Sequence, residues 1–281
     1  MVDNVFGTTE IADVTVADIQ SVLQSLLIQK SMMVSKVTDV TKFATKGKST
    51  IDFPKMGNFT VKTKTSGQQT DTQVATLETD QLALDLHKYI QFVIVDRADV
   101  QSIVDILSGG MERSIAQLSL DVDTSIIASM IAGVSSSTPD NSITFDGSTM
   151  VLADILEGRK LLLDQYLNPQ FDQIWLAVGP EREAELLALD ALVNAEKYGS
   201  NEAVQLGELG RIYGTRVMVH TGLGSDALMW TPSAQVYGSQ IALNYKSEGA
   251  LRDLGKLHSF DHLYGTATLD DGKRMVYITA A

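Results

Sequence analysis

The longest run of helical spacing in the chain lies near its middle. From Val100 through Leu118 to Ile126, apolar residues recur at steps of three or four positions, which places their side chains on one face of an α-helix. The pattern predicts a helix over residues 98–132, which at 1.5 Å per residue would be roughly 50 Å long. Gly133 is expected to end this helix, because glycine readily adopts the left-handed conformation common at helix ends.

Three shorter segments show the same helical spacing. The first is predicted over residues 16–30 and the second over residues 149–167. The third begins at Pro180, a residue favoured in the first helical turn, and is expected to run to about residue 198. Acidic residues follow Pro180 closely, which suits the positive end of a helix dipole.

The segment 41–79 has a different pattern and is rich in threonine, lysine and glycine. Residues 49–55 and 59–65 are predicted to form two short strands joined by a turn. In the second strand Phe59 and Val61 alternate with threonine and lysine, so one face is weakly apolar and the other is cationic. A two-stranded ribbon with little apolar surface is only marginally stable alone, so we expect it to lie on another surface.

Strand patterns dominate much of the remaining chain. Alternating and β-branched residues predict strands within 82–96 and 174–178. After residue 206 the chain reads as mainly β. Near its end, Tyr264–Leu269 and Lys273–Ile278 flank Asp270-Asp271-Gly272, which is a strong hairpin signal. Taken together, the elements predict an α+β fold.

The distribution of charge along the chain is more informative about function than the total charge. The 281 residues contain 22 Lys+Arg and 35 Asp+Glu, a formal charge of −13. Residues 1–29 carry four acids and no base, residues 30–64 carry eight lysines and two acids, and the other 217 residues carry 14 bases and 29 acids. A segment of +6 is therefore attached to a body of −15. This asymmetry indicates a charge-complementary partner, while the acidic total disfavours broad nucleic-acid affinity.

No catalytic set emerges from the sequence. The chain has no cysteine, which excludes thiolate metal sites and cysteine nucleophiles. His258 and His262, with Asp261, could share a helical face, but no carboxylate motif accompanies them. We therefore predict no catalytic, cofactor-binding or metal-binding residues, and we predict that the protein is not an enzyme. No run approaches 18 consecutive apolar residues, so no membrane span is predicted either.

In this order the elements resemble the major capsid proteins of tailed bacteriophages, which share the Hong Kong 97 phage fold with the encapsulins. The resemblance covers roughly residues 15–281 and includes weak local patterns such as Leu118–Asp123 and Gly210-x-Ile212-x-Gly214-x-x-Val217. It implies four parts: an N-terminal arm over 1–40, an extended β-hairpin loop over 41–79, a peripheral domain over 80–148 and 245–281 with the spine helix 98–132, and an axial domain over 149–244.

The resemblance also implies a function. The protein would be a major capsid protein that self-assembles into the pentamers and hexamers of an icosahedral head, located in the virion after assembly in the host cytoplasm. The head would enclose double-stranded DNA without sequence-specific binding. Expected partners are other copies of this chain, a portal, and a separate scaffolding protein, because no long extension precedes the arm. The alternatives are an encapsulin-like compartment, or an α/β enzyme of unknown chemistry that uses His258, Asp261 and His262.

The basic segment supplies the candidate site residues. We expect contacts with an acidic neighbouring subunit at Lys46, Lys48, Lys55, Lys62 and Lys64. The loop has no arginine, the residue that nucleic-acid binders favour, so subunit contact is favoured over nucleic-acid contact. A solvated loop without a binding role is the remaining alternative.

Overall fold

The computed structural model describes residues 31–56, 59–64, 66–67, 72–96, 106–135, 141–145, 149–164, 173–188, 210–250 and 254–280. The helix expected over residues 16–30 lies outside these ranges. So do the parts of the other predicted helices that precede residue 106 or follow residues 164 and 188.

The described elements confirm an α+β fold. The strands are β1 (Thr38–Asp39), β2 (Thr50–Met56), β3 (Leu77–Ala83), β4 (Leu86–Val95), β5 (Ser142–Phe145), β6 (Trp175–Val178), β7 (Arg211–Ile212), β8 (Thr215–Val219), β9 (Ala227–Trp230), β10 (Gln235–Ala250), β11 (Gly255–Thr268) and β12 (Met275–Ala280). The helices are α1 (Ile106–Ser135), α2 (Leu152–Asp164) and α3 (Pro180–Ala188). The strands form a four-stranded sheet, β1-β10-β11-β4, a six-stranded sheet, β5-β12-β9-β6-β8-β7, and a separate two-stranded ribbon of β2 and β3.

Helix α1 joins the two larger sheets. Its first half packs Ile115 and Leu118 against Phe260 and Tyr245 of the four-stranded sheet. Farther along, Val122, Ile126 and Met130 enter a second core that contains Tyr264 of the four-stranded sheet and Trp230 of the six-stranded sheet. One helix therefore buries side chains in both cores, which explains its unusual length.

Gly133 does not end helix α1, contrary to the sequence expectation. The helix continues through Gly133 to Ser135. A Cβ at Gly133 would lie 2.4 Å from Oγ1 of Thr268 in β11, a distance that no side chain tolerates. The glycine therefore allows the helix to approach the sheet closely, and helix termination is not its role.

By length and composition alone, Leu107–Ser135 is long and apolar enough to cross a membrane. This is a weak indication, because the core helix of a soluble fold passes the same test. Here the apolar residues of α1 pack against strands of both sheets. Burial within the protein accounts for its composition.

Helices α2 and α3 cover the other face of the six-stranded sheet. Ile155 and Leu162 of α2 and Leu186 of α3 are fully buried against strand residues such as Leu176 and Met229. The predicted strand at 174–178 and the predicted helix start at Pro180 are both confirmed. Together these elements build a third core, separate from the two that α1 enters.

The hairpin predicted at the C-terminal end is wrong. Asp270 and Asp271 do form a turn and have positive φ angles of 57° and 53°. However, β11 before the turn pairs with β10 and β4, whereas β12 after it pairs with β5 and β9. The turn redirects the chain between sheets, because Val276 and Ile278 of β12 are buried in the core beneath α2.

The sheet topology places two strands, β5 and β12, differently from the expected domain division. Strands β5 and β12 lie in the ranges expected for the peripheral domain, but both belong to the six-stranded sheet, whose other strands lie in the range expected for the axial domain. Strand β10 is continuous from Gln235 to Ala250, so it crosses the boundary expected after residue 244. The rest of the peripheral and axial division stays a prediction.

Buried His262 makes stability depend on pH. Its side chain is 2% exposed, and its Nε2 lies 3.0 Å from the hydroxyl of Tyr237. Burial lowers the pKa of His262 to about 4, whereas histidine in an unfolded chain titrates near 6.5. The unfolded state therefore binds the proton first, and stability falls as the pH drops from about 6.5 towards 4.

We expect His262→Gln to remove most of this dependence. Between pH 7 and pH 4.5 the wild-type free energy of unfolding should lose about 2–3 kcal/mol more than that of the variant, as measured by urea denaturation. The matched control is His87→Gln, since the His87 side chain is 55% exposed. Equal losses in wild type and His262→Gln would refute this explanation.

Candidate subunit-contact surface

The ribbon of β2 and β3 carries the basic segment. Its strands are antiparallel, with Thr50 opposite Ala83 and Met56 opposite Leu77. Residues 59–65 were predicted to be the second strand, and this is wrong: the described residues 59–64 have no strand structure and lie beyond the paired region. The strand partner of β2 comes instead from about 20 residues farther along the chain, at Leu77–Ala83.

An apolar cluster attaches the base of the ribbon to the four-stranded sheet. Ile51 of β2 and Leu82 of β3 are buried together with Leu84, Val40 and Val236. Leu82 is fully buried, which at this size stabilises the packed state by roughly 2 kcal/mol. The base of the ribbon is thus part of the folded body.

A group of charges fixes the ribbon at a second point. Nζ of Lys55 lies 2.9 Å from Oδ1 of Asp270 and 3.0 Å from Oδ2 of Asp271. We call these three residues the ribbon clasp. Asp80 of β3 adds to it, because its Oδ2 accepts a hydrogen bond of 2.9 Å from the backbone N–H of Asp270. Both strands of the ribbon are therefore bound to the turn that precedes β12.

The clasp perturbs the titration of its members. Partial burial alone would lower the pKa of Lys55, but the hydrogen bonds and charges of Asp270 and Asp271 raise it well above its usual range. Burial likewise opposes ionisation of Asp270, yet Lys55 and Arg274 hold its pKa below the ordinary value. The pKa of Asp271 is lowered chiefly by its hydrogen bond to Lys55. All three groups are therefore charged at neutral pH.

Beyond the clasp, the ribbon tip exposes apolar side chains. We define the ribbon tip as residues 59–64 and 72–76. Val61 is 100% exposed, Val74 90% and Phe59 57%. The two limbs of the tip are held together by Gln73, whose Oε1 accepts from the Thr60 N–H at 2.9 Å and whose Nε2 donates to the Thr60 carbonyl at 2.5 Å. Large apolar side chains that are exposed in neighbouring parts of the chain indicate a contact surface.

The structure separates the five candidate lysines into two groups. Lys55 has its charge engaged within its own chain by the clasp. Lys46 and Lys48 are exposed before β2, and Lys62 and Lys64 are exposed in the ribbon tip. For these four, contact with a neighbouring subunit stays a prediction.

A buried carboxylate anchors the segment that follows residue 30, and no local sequence pattern predicts this contact. Asp123 of α1 accepts hydrogen bonds from the Ser31 hydroxyl and from the N–H groups of Met32 and Met33, at 2.5, 2.9 and 3.1 Å. Nε2 of His220 lies 3.6 Å from the same carboxylate. The point at which residues 1–30 join the body is therefore fixed on the long helix.

The histidine-based enzyme alternative loses its geometric basis. His258 and His262 lie on strand β11, where residues four apart are separated by roughly 13 Å. Each ring meets a tyrosine hydroxyl instead: His258 that of Tyr245 at 2.8 Å, and His262 that of Tyr237 at 3.0 Å. Within the described ranges, no group of three or more His, Asp or Glu residues is placed to hold a metal ion.

Comparison with solved structures identifies the fold. A chain from Mycobacterium phage Che8 is 21% identical, with 89% of this chain and 91% of that chain covered at a TM-score of 0.73. The capsid structure of the cyanophage P-SCSP1u is 16% identical, with 87% and 86% covered at a TM-score of 0.73. A virus-like particle from Pyrococcus furiosus is 9% identical, with 94% and 99% covered at a TM-score of 0.62. No protein-family model and no curated protein sequence matches the chain.

The chain therefore has the Hong Kong 97 phage-like capsid fold, as its sequence of elements suggested. The correspondence extends over nearly the whole of each compared chain. The two sheets, the long helix α1 and the ribbon together form this architecture.

Loss of the clasp should loosen the ribbon. In Lys55→Gln we expect the amides of β2 and β3 to exchange hydrogen about 5-fold faster. This is the size of effect expected when a small, partly exposed network of charges is lost. Hydrogen exchange read by mass spectrometry measures this. Lys64→Gln is the matched control, because it removes the same charge from the ribbon tip. Unchanged exchange in Lys55→Gln would show that the apolar base alone holds the ribbon.

Proposed function

We propose that this protein is a major capsid protein that self-assembles into pentamers and hexamers of an icosahedral head around double-stranded DNA. The observation that carries the proposal is the ribbon tip, where Phe59, Val61 and Val74 are 57%, 100% and 90% exposed. A second copy of the chain is the natural partner for such a surface. The fold shared with phage capsid structures supports this choice.

Charge complementarity supports the same partner. Lys62 and Lys64 lie beside the apolar residues of the tip, while the chain outside residues 30–64 is strongly acidic. Apolar burial supplies most of the affinity of such a contact, and the charges supply orientation and speed of association. Since exposed charges are screened by salt, assembly should become weaker at high ionic strength.

The remaining parts of the proposal follow from this role. The subunit has a structural function, it is located in the virion after assembly in the host cytoplasm, and it works with a portal and a separate scaffolding protein. Encapsulated DNA is held without sequence-specific recognition. An encapsulin-like compartment is the second candidate, favoured by the similarity to a virus-like particle.

Electron microscopy of the purified protein, alone or co-expressed with its scaffold, tests the proposal. We expect shells, tubes or capsomers. Their contents separate the two candidates, because a phage head carries DNA whereas a compartment carries protein cargo. A species that stays monomeric under all assembly conditions would contradict both.

Charge reversal at the tip tests the contact itself. Lys62→Glu/Lys64→Glu should reduce the yield of assembled particles about 10-fold or more, because like charges at an interface cost several kcal/mol. The monomer should keep its thermal stability, since both side chains are exposed. Light scattering and calorimetry measure the two quantities.

The matched control is Lys160→Glu/Lys256→Glu, which makes the same change of charge at exposed positions on α2 and β11. This variant should assemble like the wild type. If the tip variant also assembles normally, the contact assigned to these lysines is wrong. If both double variants fail equally, the effect is one of net charge and the contact is again not supported.

A further inference from the structure

A row of side chains crosses one edge of the six-stranded sheet. Arg211 of β7 is directly opposite Arg216 of β8, and Arg216 is in register with Trp175 of β6. Residues directly opposite each other on paired strands point to the same face. The two guanidinium groups and the indole therefore form one continuous row.

A third cation approaches the row from another part of the chain. Nζ of Lys36 lies 4.4 Å from the centre of the Trp175 ring, and Cζ of Arg216 lies 5.2 Å from it. Lys36 is held in place through its carbonyl, which accepts a 3.0 Å hydrogen bond from Nε1 of Trp230. We call Lys36, Arg211 and Arg216 the cation cluster.

A fourth cation lies nearby, at the turn between β7 and β8. Arg159 of α2 lies close to Gly214 in this turn, because a Cβ atom added to Gly214 would be 3.0 Å from Nη1 of Arg159. Gly214 has a φ of 80° and the preceding Tyr213 a φ of 49°. This two-residue turn with positive φ angles is what brings Arg211 and Arg216 opposite each other.

The cluster is unexpected in a chain with a formal charge of −13. Some cations of this chain form ion pairs with carboxylates, as Lys55, Lys88 and Arg274 do. Yet within the described ranges no ion pair of 4.0 Å or less involves any member of the cation cluster. Like charges directly opposite on neighbouring strands are destabilising. An anion from outside these ranges would relieve that repulsion.

The residue types indicate which anion. Arginine presents a planar fork of donors that matches phosphate oxygens, whereas lysine offers only a point charge. The basic segment 41–79 contains lysines but no arginine, whereas two arginines lie side by side in the cation cluster. The indole of Trp175 already has Lys36 and Arg216 over its ring, so it orients the cations and is not available for base stacking.

We propose that the cation cluster is a contact for the phosphate backbone of double-stranded DNA. The proposal rests on the proposed function, in which the shell encloses DNA. Each subunit would offer one such contact on an otherwise acidic body. Because phosphates carry no sequence information, binding is independent of sequence, and the surrounding negative charge keeps it weak and strongly salt-dependent.

The test is binding of a fluorescently labelled 20-base-pair duplex to dissociated full-length protein, followed by anisotropy between 20 and 200 mM salt. We expect Arg211→Gln/Arg216→Gln to bind about 10-fold more weakly at the lowest salt. The slope of log K against log salt should decrease by roughly 1.8, for two lost phosphate contacts. The matched control, Lys246→Gln/Lys256→Gln, removes the same charge from exposed positions and should stay within about twofold of the wild type.

Three results would overturn the proposal. One is wild-type protein that does not bind the duplex at 20 mM salt. Another is an equal loss in both double variants, which would reflect net charge alone. The third is a result in which the arginine variant binds DNA as well as the wild type does, while its residues 1–29 are digested by protease faster than those of the wild type. This combination would show that the acidic N-terminal segment occupies the cluster. Assembly of each variant is checked separately by electron microscopy, so failure of this contact is distinguishable from failure of the shell function.

Discussion

The main constraint in this structure is a ribbon tip whose apolar side chains remain exposed in the described ranges. Two paired strands bury little surface and are marginal in water, and here Val61 and Val74 remain almost fully exposed. The rest of the chain contacts the ribbon near its base, through the cluster around Leu82 and the clasp at Lys55. The ribbon is thereby attached at its base, while the apolar surface of its tip remains exposed.

The rest of the chain forms the body to which that ribbon is attached. Helix α1 places side chains in two cores, so neither sheet is a separate unit. Asp123 of the same helix holds the segment after residue 30, and Lys36 in that segment contacts both tryptophans. These contacts join the segment after residue 30 to the long helix and to the six-stranded sheet.

The sequence predicted local elements well because their signals are local. The spacing around Leu118 identified α1, and Pro180 marked the start of α3. The pairing of β2 could not be found in this way, because a nearby turn offered residues 59–65 as an equally plausible partner. The observed partner is favoured by burial of Ile51 with Leu82 and by the contacts that Lys55 and Asp80 make with the turn at Asp270.

The candidate site was predictable only in part for a similar reason. The lysines of the loop were visible as a charge pattern, but the ion pairs of Lys55 are with Asp270 and with Asp271, and Asp271 is 216 residues away from it. The cation cluster carried no signal either, since Lys36 and Trp175 meet only in the folded chain. Long-range contacts of this kind depend on the sheet topology, which local patterns do not determine.

A reconstruction of the assembled material by cryo-electron microscopy would show directly where each ribbon tip lies. The account predicts that Phe59, Val61 and Val74 of each ribbon tip are buried against a neighbouring copy of the chain, with Lys62 and Lys64 close to its carboxylates. A particle in which the tips project into solvent, or fold back on their own subunits, would contradict it.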